Sequence, residues 1–184
     1  MILRFLLKYA VNLGMVFTRW IGRKLDSLEV SKVDLDRALV EMEWVKENIK
    51  QPIELEEYFR DNNWKWESDP LSGFLDYVSD VEITFAKKAG DCDDLAEVWK
   101  WKFPFLKKYA VVPLNPFKEA GHVIAVGKVS PTRILVCSNL KILAWVEKDN
   151  EIEAIREVYK DSKREIKWIF EFNDKNFVRR VYAF

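Results

Sequence analysis

Gly90-Asp91-Cys92-Asp93-Asp94-Leu95-Ala96 is the stretch on which the reading of this chain turns. A glycine turn hands over to Asp91, a good helix N-cap, and Asp94 follows three residues later in a capping-box position. The pattern predicts a helix from Cys92 to Phe103, ended by Pro104. Cys92 therefore falls in the first turn, where exposed N–H groups and the helix dipole favour a thiolate. The only histidine, His122, follows 30 residues later, and Asn139 lies 17 residues beyond it. A thiol, an imidazole and a group that orients the imidazole are the equipment of nucleophilic acyl chemistry. In this reading Cys92 is the nucleophile, His122 the base and Asn139 the orienting residue. The N–H of Cys92 is an oxyanion donor. Trp64 and Trp66, in the preceding loop, are candidates for a second donor or for substrate lining, beside Asp91.

Two features oppose the scheme. Asp91, Asp93 and Asp94 surround the thiol with negative charge, which disfavours the thiolate unless an imidazolium stands beside it. Asn139 is neutral, so it orients a ring without stabilising its charge. The bland alternatives carry weight too. An arbitrary free cysteine is most often a small buried hydrophobe, and Cys137, inside Ile134-Leu135-Val136, fits that description. Cys92 has Gly and Asp neighbours and does not. The three aspartates lack the D-x-D-x-D-G spacing of a calcium loop, and Cys92, Cys137 and His122 lack paired zinc spacing. No cofactor is expected.

Outward from this centre, composition bounds the class. The chain has 184 residues, 49% hydrophobic and 14% aromatic, enough for one domain with its own core. Lys plus Arg (30) balances Asp plus Glu (30), and the eight tryptophans do not alternate with basic clusters, which argues against a nucleic-acid surface. Two cysteines do not make a disulfide framework, so a reducing, cytoplasmic setting is expected. The first segment departs from this balance. Arg4, Lys8, Asn12, Arg19 and Arg23 trace a narrow polar stripe on an otherwise apolar helix, and the first acid is Asp26. Arg4 and Lys8 interrupt it as a membrane span, and it lacks a clear signal-peptide cleavage site. Three readings stay open: a helix packed on its own domain, an interfacial membrane helix, or a docking helix for a partner protein through residues 1–24. Residues 1–26 are thus set apart from a single domain over 27–184.

Within that domain, apolar spacing predicts a helix over Val33 to Ile49, capped by Asp34, and a short helix over Glu54 to Arg60. Asp61 to Pro70 reads as loop, Pro70 to Val78 as loop or turn, and Ile83 to Lys88 as a short helical run. After Pro104 the period changes. Strands are expected over His122 to Val126, Arg133 to Cys137, Leu140 to Val146, Ile166 to Phe172 and Val178 to Phe184, with a helix over Asn150 to Tyr159. Val112 to Ala120 reads as a loop bordering the site. Helices first and antiparallel strands after make an α+β architecture.

On its nucleophile stretch the chain resembles the transglutaminase-like cysteine peptidase superfamily, especially small bacterial and phage members. Gly90-Asp91-Cys92-Asp93-Asp94-Leu95-Ala96 matches the start of their central helix. Gly121-His122-Val123 is similar to their histidine strand, and Arg133 to Asn139 to the strand carrying the third residue, where many members have Asp. Trp66-Glu67-Ser68-Asp69-Pro70 and Asp76-Tyr77-Val78 resemble the run before the motif. The resemblance covers about Asp61 to Phe172. It implies a papain-like α+β fold and thiol-dependent acyl transfer on a peptide or protein substrate. Hydrolysis (peptidase or amidase), transamidation, and a catalytically inactive interaction module all occur in that group, and the fold does not choose among them.

Overall fold

Ser31 opens the first helix, α1 (Lys32–Asn48), by accepting the N–H of Asp34 on its side-chain oxygen. The cap is thus Ser31 and not Asp34; Asp34 sits in the first turn, where its carboxylate complements the dipole. Pro52 starts α2 (Pro52–Asp61), where Gln51 and Glu54 form a capping box. The structure, a computed structural model, describes residues 8–10, 12, 18, 30–68, 78–114, 121–160 and 165–184. Most of the expected N-terminal helix, its boundary at residue 26 and most of the Pro70 to Val78 stretch lie outside the described residues.

Two-residue strands β1 (Lys65–Trp66) and β2 (Ala89–Gly90) pair in parallel and bracket α3 (Val81–Lys87). Helix α4 (Cys92–Lys102) follows directly. Then come β3 (Lys107–Pro113), β4 (His122–Ser130), β5 (Arg133–Ser138), β6 (Lys141–Glu147), α5 (Glu151–Tyr159), β7 (Ile166–Phe172) and β8 (Val178–Ala183). Six of the strands form one antiparallel sheet in the order β6-β5-β4-β3-β7-β8.

The period of two sorts this sheet between two cores. Ala125, Leu135 and Cys137 face the α1–α4 side, where they join Leu95, Ala96, Val98 and Trp99 of α4. Ile124, Val126, Ile134 and Val136 face α5 and meet Ala154 and Ile155. The result is helices, sheet, helix: an α+β fold, as the order of elements implies.

Two expectations are corrected here. The loop expected over Val112 to Ala120 gives its first two residues to β3, a strand the spacing does not predict, which lies near the middle of the sheet between β4 and β7, and residues 115–120 lie outside the described residues. Lys108 of β3 is buried and would disqualify a central strand were it unpaired; Glu97 of α4 meets its Nζ at 2.9 Å. Strand β4 also runs past Gly127 instead of stopping there. That glycine is needed because the Phe105 carbonyl crosses it so closely that a Cβ would lie 2.5 Å away.

Near the β8 edge, Lys8 Nζ donates to the carbonyl of Arg179 at 3.2 Å, and Val178 N–H donates to Asn12 Oδ1 at 2.7 Å. Residues 8–10, 12 and 18 are helical. No helix among the described residues is long and apolar enough to cross a membrane.

Candidate active site

The Gly90 to Ala96 stretch folds as its residues dictate. Gly90 stands where an added Cβ would lie 2.7 Å from the Cβ of Asp94, so only glycine brings β2 that close to the helix. Asp91 is the N-cap, with Oδ1 accepting from Asp93 N–H at 3.0 Å and Asp94 N–H at 3.4 Å. Asp94 does not close the capping box. Its Oδ1 instead accepts the buried N–H of Ser79 at 2.6 Å, anchoring the chain that leads into α3. Two of the three acids that crowd the thiol are therefore engaged with backbone N–H groups.

Cys92 is half-buried at the mouth of α4, and its Sγ accepts the N–H of Val123 at 3.4 Å. A backbone N–H lies in the plane of its sheet, so this contact sets the sulfur at the edge of β4, beside the residue that follows His122. A donated N–H favours the thiolate, as does the helix terminus. Seven residues on, Trp99 occupies the same face of α4. Its indole Nε1 donates to the carbonyl of Asn139 at 2.7 Å. Helix α4 is thus fixed to the sheet at β4 and at the turn after β5.

His122 is the first residue of β4, paired with Val111 of β3. Its Nε2 lies 2.8 Å from Ser138 Oγ. Ser138 is the last residue of β5, is buried, and received no role from the sequence. Its signal was available only through register. Ala125 pairs Cys137 and Val126 pairs Val136, so His122 and Ser138 are diagonal neighbours on one face. Asn139 is not a strand residue. It sits in the β5–β6 turn with φ 51°, in the left-handed region. Its Oδ1 is buried without a hydrogen-bond partner among the described residues.

The two tryptophans part company. Trp64 is a core residue, 4.8 Å from the ring of Phe59 and 4.9 Å from that of Phe85. Trp66 is exposed, and its backbone pairs with Gly90, two residues before the thiol. Cys137 is fully buried opposite Ala125, and burial pushes its thiol well above the ordinary range. It is a packing residue of the core on the α4 side.

Asp91, Asp93 and Asp94 bring one oxygen each within 4.8 Å of the others, the one such acidic grouping among the described residues. The hydrogen bonds to Asp91 and Asp94 occupy part of that donor set.

No protein-family model matches the chain, and no curated protein matches it. Solved structures that resemble it include two of LapG. Legionella pneumophila LapG in its calcium-bound form superposes with a TM-score of 0.52 at 17% identity, covering 88% of this chain and 84% of that one. A second LapG structure gives the same score and identity over 87% and 84%. Low identity confines this likeness to architecture. The chain accordingly has an α+β, transglutaminase-like fold of the kind seen in LapG.

Proposed function

We propose that this protein is a cysteine hydrolase, a peptidase or amidase in which Cys92 attacks a carbonyl and His122 carries the proton. The supporting observation is the contact between Cys92 Sγ and Val123 N–H, which brings a helix-mouth thiol to the start of the histidine strand. The architecture shared with LapG, a transglutaminase-like cysteine protease, agrees with it.

In the first step the Sγ–H bond breaks and its proton goes to a ring nitrogen of His122. The sulfur then attacks the acyl carbon, and the tetrahedral oxyanion takes the N–H of Cys92. The imidazolium returns its proton to the departing amine. Water, deprotonated by the same ring, releases the acyl group and restores the thiol. The third role, holding the ring, falls to the end of β5, where Ser138 closes the strand and Asn139 opens the turn. Trp66, exposed beside Gly90, is the candidate for substrate lining.

The test is turnover of a panel of peptide, amide and protein substrates by the native chain and by Cys92→Ala. Activity lost in the variant supports the proposal. Product that appears only when a free amine is added assigns transamidation instead. Activity retained by Cys92→Ala refutes the thiol mechanism.

A further inference from the structure

Two adjacent residues at the end of β5 compete for the task of holding the imidazole. We propose that Ser138 is the positioning residue of this site, binding Nε2 of His122 through its hydroxyl, and that Asn139 serves the turn. This inference rests on the Cys92–His122 reading above.

Three observations carry it. The Oγ to Nε2 separation is 2.8 Å, a good hydrogen-bond length, while Asn139 Oδ1 has no partner among the described residues. Ser138 is 8% exposed, and a buried hydroxyl requires a hydrogen bond. Asn139 is already explained by its backbone. Its φ of 51° is a conformation that asparagine accepts more readily than most L-residues, at the turn where Ser138 pairs with Lys141. Its carbonyl is occupied by Trp99 Nε1.

The chemistry follows from which ring nitrogen is engaged. When the hydroxyl accepts Nε2–H, the neutral ring carries its lone pair on Nδ1. Nδ1 then takes the Cys92 proton: S–H breaks, Nδ1–H forms, sulfur gains the negative charge and the ring the positive one. Throughout, Nε2–H remains donated to Ser138. A hydroxyl is as neutral as an amide, so its contribution is tautomer and orientation, not charge.

Because His122 is the only histidine, imidazole nitrogen resonances in the full chain report this ring without assignment. The experiment records those resonances and the pH profile of Cys92 alkylation by iodoacetamide. It uses native protein, Ser138→Ala, Ser138→Thr, Asn139→Gly and His122→Ala. Glycine tolerates the left-handed turn, so Asn139→Gly removes the amide while keeping the backbone. The expected native signal is the Nε2–H tautomer. Ser138→Ala mixes the tautomers and slows alkylation at pH 7 by roughly tenfold, the scale on which lost outer hydrogen bonds act. Ser138→Thr restores both readouts, and Asn139→Gly leaves both near native. Ring signals that move in Asn139→Gly and not in Ser138→Ala overturn the assignment while sparing the Cys92–His122 reading. Alkylation unchanged in His122→Ala overturns that reading, and the positioning role with it. Should Ser138→Ala fail to fold, the contrast between Ser138→Thr and Asn139→Gly decides: Thr native-like and Gly native-like supports Ser138, whereas Gly perturbed contradicts it.

Discussion

The indole N–H of Trp99 donates to the carbonyl of Asn139 at 2.7 Å, tying helix α4 to the turn after β5, the strand beside that of His122. Trp99 is fully buried, so nothing replaces the bond when it is removed. Trp99→Phe keeps most of the ring packing and leaves that carbonyl without its donor. The expected loss is about 1–3 kcal/mol of unfolding free energy, read from urea midpoints. A fall in Cys92 alkylation rate should accompany it. Unchanged stability would mean that the tie contributes nothing.

Asp91 is present as a cap, and its charge works against the thiolate. The two effects separate by substitution. Asp91→Ala removes the acceptor for the Asp93 and Asp94 N–H groups and should cost about 0.5–2 kcal/mol. Asp91→Asn keeps an acceptor and should stay within a few tenths of the native value, with Cys92 alkylation no slower than native. Slower alkylation in Asp91→Asn would assign the carboxylate a role at the thiol beyond capping.

The two cysteines should behave oppositely. Cys137 is fully buried, and burial pushes its thiol up, whereas Cys92 is half-buried at a helix mouth. Mass spectrometry after brief treatment with iodoacetamide at pH 7 should find a single adduct, on Cys92. Modification of Cys137 in the native fold would contradict the packing described for β5.

The Glu97–Lys108 pair links α4 to β3, with Lys100 also 3.5 Å from Glu97. Burial raises the Glu97 carboxyl, but the adjacent Lys108 and Lys100 outweigh it and hold it below the usual value of 4.5. A folded value below the unfolded one stabilises the native state fully above about pH 4.5. That contribution is lost as pH falls through the lower, folded value. Lys108→Ala removes the buried partner and leaves the carboxylate to Lys100 alone, which should cost about 1–3 kcal/mol at pH 7. The stability gap between native protein and Glu97→Gln should narrow between pH 7 and pH 3, measured by denaturant titration at each pH. A gap independent of pH would remove the pair from the account.

Local signals made much of this architecture legible. Asp91 capping α4, the apolar spacing of α1 and the branched runs of β4 to β8 each act within a few residues, so sequence exposes them. Elements that depend on distant partners stayed hidden. Strand β3 looks too charged to be central until Glu97, from another element, neutralises Lys108. Strands β1 and β2 are two residues long and exist only because they pair with each other. The same logic governs the site. Cys92 and His122 announce themselves by residue type. Ser138 is an ordinary strand-end serine until the register of β4 and β5 sets it diagonal to His122. Asn139 is nominated by residue type, and its left-handed φ supplies a second, structural reason for an asparagine at that turn. Trp64 reads as a loop donor until the aromatic cluster of Phe59 and Phe85 encloses it.

The central claim is that the Cys92 sulfur hands its proton to His122. Its most direct test is the second-order rate of Cys92 alkylation across pH 4 to 10, in native protein and in His122→Ala. A thiolate–imidazolium pair predicts substantial native reactivity far below the ordinary cysteine titration near pH 8.5. In His122→Ala that low-pH limb should vanish and the midpoint should rise to the ordinary value or above. Superimposable profiles, with both proteins titrating as unassisted thiols, would contradict the account.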